Sequence, residues 1–299
     1  MNYRVTDNRA SLSSRIAAQQ SRLNLLEEQL TTGKRINRPS DDPFGAEAVV
    51  NLRISQSEVE QFARSAGSTW QRLTMADDTL NSYEGILERV RTLITRGVSD
   101  TTPQQSKNAL ATELEAVRDQ ILKIANTKNG DDYLFGGTRL NAPPFDPVTA
   151  AAAATPAQPQ FVQVEPGAGA IASGVTAETV FSDATATIFA DLDNAIAALR
   201  GTGNEAADKA TLQTTLSRLS VYSESAATAR IKVGANMNSV EIAKDRLMAD
   251  SASLDDRAAE IEGVDFVEAA VELSKAEKAL EASLQVTARG RRSLFDFLG

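Results

Sequence analysis

The chain contains neither cysteine nor histidine. Without cysteine there is no thiolate nucleophile, no zinc–thiolate or iron–sulfur site, and no disulfide. Without histidine, the commonest general base and the commonest transition-metal ligand are missing too. Catalysis would have to run on carboxylates, lysine, tyrosine or serine, so the sequence predicts no enzyme and no cofactor. No stretch approaches the ~18 continuous apolar residues of a membrane-spanning helix. Residues 1–20 carry arginines and polar side chains where a cleavable signal would need an apolar block. Two destinations stay open: the cytoplasm, or export by a route that reads no such signal. The net charge of -9 argues against broad nucleic-acid binding. With 299 residues, one or two domains with real cores are affordable in length.

Proline is missing from the whole chain after Pro166 and before Pro39. That asymmetry predicts helical arms at both ends and a broken middle. In the first arm Val5, Leu12, Ile16, Leu23, Leu26 and Leu30 recur in 3- and 4-residue steps, with Arg9 and Gln19 filling two seam positions. Such spacing is a heptad-like stripe, and Gly33 stands where a helix-terminating glycine belongs. A second run from about Pro43 to Thr95 places Trp70, Leu73, Leu80, Leu87 and Val90 on one stripe; after Pro103, Leu110, Leu114, Val117, Ile121 and Ile124 make a third.

Residues 136–186 change character, with six prolines, an alanine run and glycine turns. They read as a small β-rich or irregular insertion, with a flexible loop as the alternative. From Leu212 the seam resumes through Leu216, Leu219, Ser223, Ala226, Arg230, Val233, Met237, Val240, Lys244 and Leu247 to Ile261. A continuous helix from Asn204 to Glu262 would be roughly 85–90 Å long at ~1.5 Å per residue, against about 50 Å for a compact globule of this length. The prediction is therefore an elongated rod. A last amphipathic segment puts Phe266, Leu273, Leu280 and Leu284 on one face and ends in an apolar tip containing Leu294 and Phe297. An apolar tip of that kind implies a partner.

The two ends differ in charge. Residues 1–40 hold seven cations against three anions, and residues 255–281 hold nine anions against three cations. Opposite signs on apolar-striped helices suit pairing with each other or with neighbours.

Between the first two helices lies Gly33, Lys34, Arg35, Ile36, Asn37, Arg38, Pro39, Ser40, Asp41, Asp42, Pro43. It is not a phosphate loop: Glu28 stands where the first glycine should be, and Arg35 where Ser or Thr should follow the lysine. Adjacent carboxylates on extended backbone point apart, and no calcium-loop pattern surrounds Asp41 and Asp42. A corner explains the residues better. Asp42, before proline, is pushed into the conformation an N-cap needs, and Pro43 is the favoured first helical residue.

Three segments carry a family resemblance. "TTGKRINRPSDDPFGA" (31–46) and "DFVEAAVELSKAEKALEASLQVTARGRRSLFDFLG" (265–299), together with the N-terminal amphipathic helix, resemble the flagellin superfamily of bacterial axial proteins. "NTKNGDDYLFGGTRLNAPPF" (126–145) looks like its hook-filament junction branch, the hook-associated protein 3 family, where flagellins carry an F-N-G-type segment. The stretches 266–269 and 280–284 also look more like that branch. One departure is the short, alanine/proline-rich middle, which implies a reduced outer domain.

The resemblance implies a mainly α, rod-like fold of long antiparallel helices, its terminal helices paired as a coiled coil, with a small β-rich or irregular insertion. The expected division is 1–40 with 265–299, 41–135 with 187–264, and 136–186 outermost. The implied role is a non-enzymatic adaptor in the flagellum, outside the cell, assembling as a ring of its own copies between hook-associated protein 1 and flagellin. It would be exported by the flagellar type III apparatus with a chaperone. A filament flagellin and a cytoplasmic coiled-coil binding protein are the alternatives. The residues expected at the assembly interface are Leu12, Ile16, Leu23, Leu26, Leu30, Phe266, Leu273, Leu280, Leu284, Leu294 and Phe297.

Overall fold

The computed structural model describes residues 3–183 and 185–298, with side chains at 13–183 and 185–286. Seven helices appear among the described residues: α1 Tyr3–Thr32, α2 Pro43–Val98, α3 Gln104–Ala125, α4 Ala177–Phe181, α5 Ile188–Arg200, α6 Glu205–Glu262 and α7 Phe266–Leu298. Four two-residue strands form two antiparallel pairs: β1 Lys128–Asn129 with β2 Asp132–Tyr133, and β3 Phe161–Val162 with β4 Ile171–Ala172. The fold is mainly α with a small β insertion, as the helical periodicity implied. No helix among the described residues is long and apolar enough to cross a membrane.

By compactness the chain forms two units, one of residues 1–58 with 250–299 and one of residues 59–249. This differs from the three-part reading. The corner lies inside the first unit and the insertion inside the second.

The long helix α6 starts where expected because Asn204 caps it, its side-chain oxygen accepting from the Ala207 amide at 3.1 Å. Its buried face is turned slightly from the expected seam. Leu212, Leu219, Ala226, Val233, Val240 and Leu247 are buried as predicted, but their companions are Thr215, Tyr222, Ala229 and Ala243. The physical reason is at the edge of the stripe. Arg230 reaches Asp77 at 3.0 Å and Glu84 at 2.8 Å, and Lys244 lies 5.2 Å from the Trp70 ring centre, so these cations snorkel instead of burying. Trp70 is accordingly half-buried, and Thr69 takes its place in the core of α2.

The second unit is built on α2, where Ala66, Thr69, Leu73, Ala76, Leu80, Tyr83, Leu87, Val90 and Ile94 keep 3- and 4-residue steps and are all buried. Segment 136–186 has little regular structure, yet it is anchored. Phe135, Phe145, Phe181 and Phe189 join Tyr83 in a buried aromatic cluster, with ring centres 4.7–6.1 Å apart. Arg72 donates to the carbonyls of Tyr133 and Leu134 at 3.0 and 2.9 Å, and Asn236 to that of Ala172 at 3.0 Å. Helix α5, unmarked by the sequence reading, is capped by Thr187 and buries Ile188, Leu192, Ala195, Ile196 and Leu199. A threonine before that spacing, with glycine after it, was a usable signal.

Candidate assembly corner and terminal helix pair

Helix α1 stops at Gly33, whose amide bonds the Gln29 carbonyl at 2.9 Å and whose φ of +70° is left-handed. Only glycine adopts that conformation without strain. The chain then turns through 34–42. The Asp41 carboxylate accepts from the amides of Asn37 at 3.1 Å and Arg38 at 2.8 Å, closing the turn from inside. Asp42 accepts from the Gly45 amide at 3.0 Å and so caps α2, with Pro43 as its first residue. That amide, followed by the Arg35 guanidinium, holds the Asp42 carboxyl below its ordinary range. Both carboxylates are thus committed to backbone groups, each on its own. Gly45 leaves room for its neighbours: a Cβ there would lie 2.5 Å from Cδ1 of Ile36, the buried residue of the turn, and 2.7 Å from the Asp42 carboxylate, so both side chains would have to shift. Pro39 and Ser40 are exposed at its tip.

The corner does not stand alone. The chain breaks again after α6, and the two breaks pair. The Arg35 amide donates to the Glu262 carbonyl at 2.6 Å, and the Val264 amide to the Gly33 carbonyl at 3.1 Å, around an antiparallel bridge between Lys34 and Gly263. The corner carries three cations, Lys34, Arg35 and Arg38. Arg35 does pair with Asp42 at 3.1 Å, but Lys34 instead reaches Glu262 at 2.9 Å, and Arg38 reaches back to Glu28 at 3.0 Å. Arg53 meets the other Glu262 oxygen at 2.9 Å. Asn37 donates its side-chain amide to the Lys34 carbonyl at 3.0 Å.

Beyond the corner α1 and α7 run antiparallel. Phe266 lies against Gly33, Arg22 pairs with Glu272 at 2.7 Å, and Ser283 donates to the Gln19 side chain at 2.8 Å. The Glu272 carboxyl is held low by Lys275 foremost, then by Arg22. Among the expected interface residues, Leu26 is buried, and Ile16, Leu23, Leu30, Leu273 and Leu280 are half-buried. Phe266 and Leu284 remain 57% and 48% exposed, because the seam of α7 centres on Ala269 and Ala276 instead. The side chains of Leu12, Leu294 and Phe297 lie outside the described residues. Val267 and Val271, which the sequence reading passed over, are also exposed on α7.

Two family models match this architecture at its two ends, the bacterial flagellin N-terminal helical region over residues 6–139 and the bacterial flagellin C-terminal helical region over residues 207–298. Together they take in well over half of the chain. The chain belongs to the flagellin family. Within that family, the flagellar hook-associated protein 3 of Salmonella typhimurium is 29% identical over 189 residues, 58% of this chain and 59% of that protein. The protein of the same name from Escherichia coli K12 is 27% identical over 251 residues, 77% of this chain and 79% of that protein. The alignment thus spans about three fifths of the first relative and four fifths of the second. Among solved structures, FlgL of Xanthomonas campestris superposes with a TM-score of 0.63 at 16% identity, covering 70% of this chain and 99% of that one, which shows a shared fold. Among the described residues this helix pair has one buried leucine and exposed apolar flanks.

Proposed function

We propose that this chain is the structural adaptor of the hook-filament junction, assembling as a ring between hook-associated protein 1 and flagellin at the outer end of the bacterial hook. The observation that carries the reading is the incompletely covered terminal pair: Phe266, Val267, Val271 and Leu284 stay about half or more exposed on α7. Completing the burial of each would release roughly half or more of the about 1.5–3 kcal/mol that a fully buried apolar side chain is worth, which an assembly supplies and the single chain does not. The kinship to hook-associated protein 3 in two bacteria supports the junction over the filament. The likeness of residues 126–145 to that branch supports it as well.

In this reading the chain leaves the cell through the flagellar type III apparatus, escorted by a chaperone, without a cleavable signal. Its inner domain is 1–40 with 265–299, and its interface includes Leu12, Ile16, Leu23, Leu26, Leu30, Phe266, Leu273, Leu280, Leu284, Leu294 and Phe297. Its role is mechanical, with no reaction catalysed and no cofactor held. Deleting the gene is the test. Hooks without filaments, with flagellin accumulating in the medium, are the expected result. Normal filaments would refute the proposal, and loss of filaments together with loss of the bulk flagellin would assign the chain to the filament.

A further inference from the structure

The α1–α7 seam repeats itself every seven residues. Ile16, Leu23 and Leu30 are one heptad apart on α1, and on α7 Leu273 and Leu280 are one heptad apart, as are Ala269 and Ala276. Sliding one helix by a heptad therefore sets leucine against leucine again. Apolar burial of this kind favours pairing but does not choose among registers; polar or fixed contacts do that.

Register information is concentrated elsewhere. At the paired breaks, two backbone hydrogen bonds tie 33–35 to 262–264. The Glu262 carboxylate, 16% exposed, receives Lys34 on one oxygen and Arg53 on the other, both at 2.9 Å. Arg35 adds a guanidinium bond to the Ile261 carbonyl at 3.1 Å, satisfying an oxygen that the end of α6 leaves without a helical donor. Cations near a helix C-terminus also suit its dipole. A slip would break every one of these at once. Along the seam itself, Gln19 with Ser283 and Arg22 with Glu272 are side-chain bonds that also distinguish one register from the next.

We propose that the two helix breaks form a single joint, clamped by Glu262, and that this joint sets the register of the terminal helix pair within one chain. The seam supplies attraction and the joint supplies alignment. The inference goes beyond the junction role and does not depend on it, since it concerns the purified single chain. It makes Glu262, Lys34 and Arg53 positioning residues for whatever surface α1 and α7 present.

The absence of cysteine makes the test direct. Two reporter chains carry Gln19→Cys with Ser283→Cys, facing in the observed register, or Gln19→Cys with Ala276→Cys, facing after a one-heptad slip. A short bifunctional thiol cross-linker captures only the first pair in the otherwise unchanged chain. With Glu262→Lys plus Val264→Pro added, the 19–283 yield is expected to fall and the 19–276 yield to come within about threefold of it, as near-equivalent registers require. Loss of both products would equally show that the seam cannot align the helices. Lys34→Gln plus Arg53→Gln is the milder version, and the charge swap Glu262→Lys with Lys34→Glu and Arg53→Glu should restore the 19–283 product. Unchanged thermal unfolding of residues 59–249 guards against general misfolding. Retention of the 19–283 product as the only one in both joint-broken chains would overturn the proposal.

Discussion

The two units of this chain are held by different physics. Residues 59–249 bury large side chains to completion: Tyr83, Phe135, Phe145, Phe181 and Phe189 are each at most 1% exposed, with Leu73, Leu80, Ile94, Leu114 and Ile121 around them. In the unit of residues 1–58 and 250–299, the buried set among the described residues is Leu26, Ile36, Val49 and Ala269, and half-buried aliphatic side chains, charge and backbone pairing supply the rest of the cohesion. Exposed ion pairs contribute little each, typically 0–1 kcal/mol, and are screened by salt. A fully buried aromatic contributes several times as much. One unit is thus a self-sufficient core, and the other is specified in geometry but only lightly stabilised.

The sharpest way to break this contrast is to hollow the core. Phe181 touches Tyr83, Phe135 and Phe145. Phe181→Ala should cost the second unit about 3–5 kcal/mol in urea unfolding. Amide exchange along α1 and α7 should not change.

Next comes a strongly charged cluster of that unit. Arg218 donates to Asp191, Asp183, Thr185 and Tyr222, and Tyr222 in turn donates to Asp191. Burial pushes the Asp183 carboxyl up, but the amides of Ala186 and Thr185, the Thr185 hydroxyl and Arg218 outweigh it and hold it well below its ordinary value. A carboxyl depressed in the folded state stabilises above its unfolded pKa, and that stability is lost as pH falls towards the folded one. The second unit should therefore weaken as pH drops below about 4, and Asp183→Asn should flatten the acid limb of its stability profile. Arg218→Met should cost about 3 kcal/mol at neutral pH, because it strands two carboxylates.

A smaller effect is expected in the first unit. Leu26→Ala should cost about 1–2 kcal/mol, below the full core value, since the site opens towards solvent and collapses readily. In the single chain, exchange along 5–30 and 270–290 should already be fast, and 1 M salt should speed it further by screening Arg22–Glu272 and the Glu262 clamp. Strong protection there would put both units on the same footing.

The smallest change should be Tyr83→Phe. The Tyr83 hydroxyl is buried with no hydrogen-bond partner among the described residues, so removing it should be neutral or stabilise by up to about 1 kcal/mol.

Much of this was legible because local chemistry carried it. Gly33 ends α1, Asp42 and Pro43 begin α2, Asn204 begins α6, and the leucine spacing gives each helix its apolar stripe. These signals depend on residues at most four apart, which any helix reads the same way. Less legible was the insertion, where nothing marked Phe145 and Phe181 as core residues, because burial by partners tens of residues away leaves no period in the sequence.

The sequence by itself determined the long helices, where α1 ends and where α2 and α6 begin, the sign of charge on each arm and the exclusion of cysteine and histidine chemistry. Tertiary structure alone decided which charges meet. Lys34 and Arg53 converge on Glu262, more than two hundred residues along the chain, and Arg35 completes the end of a helix it does not belong to. Charge pattern says only that opposite arms attract. A Coulombic attraction is long-ranged and tolerant of position, whereas a hydrogen bond needs its partner within about 3 Å and in line, and only the folded backbone supplies that.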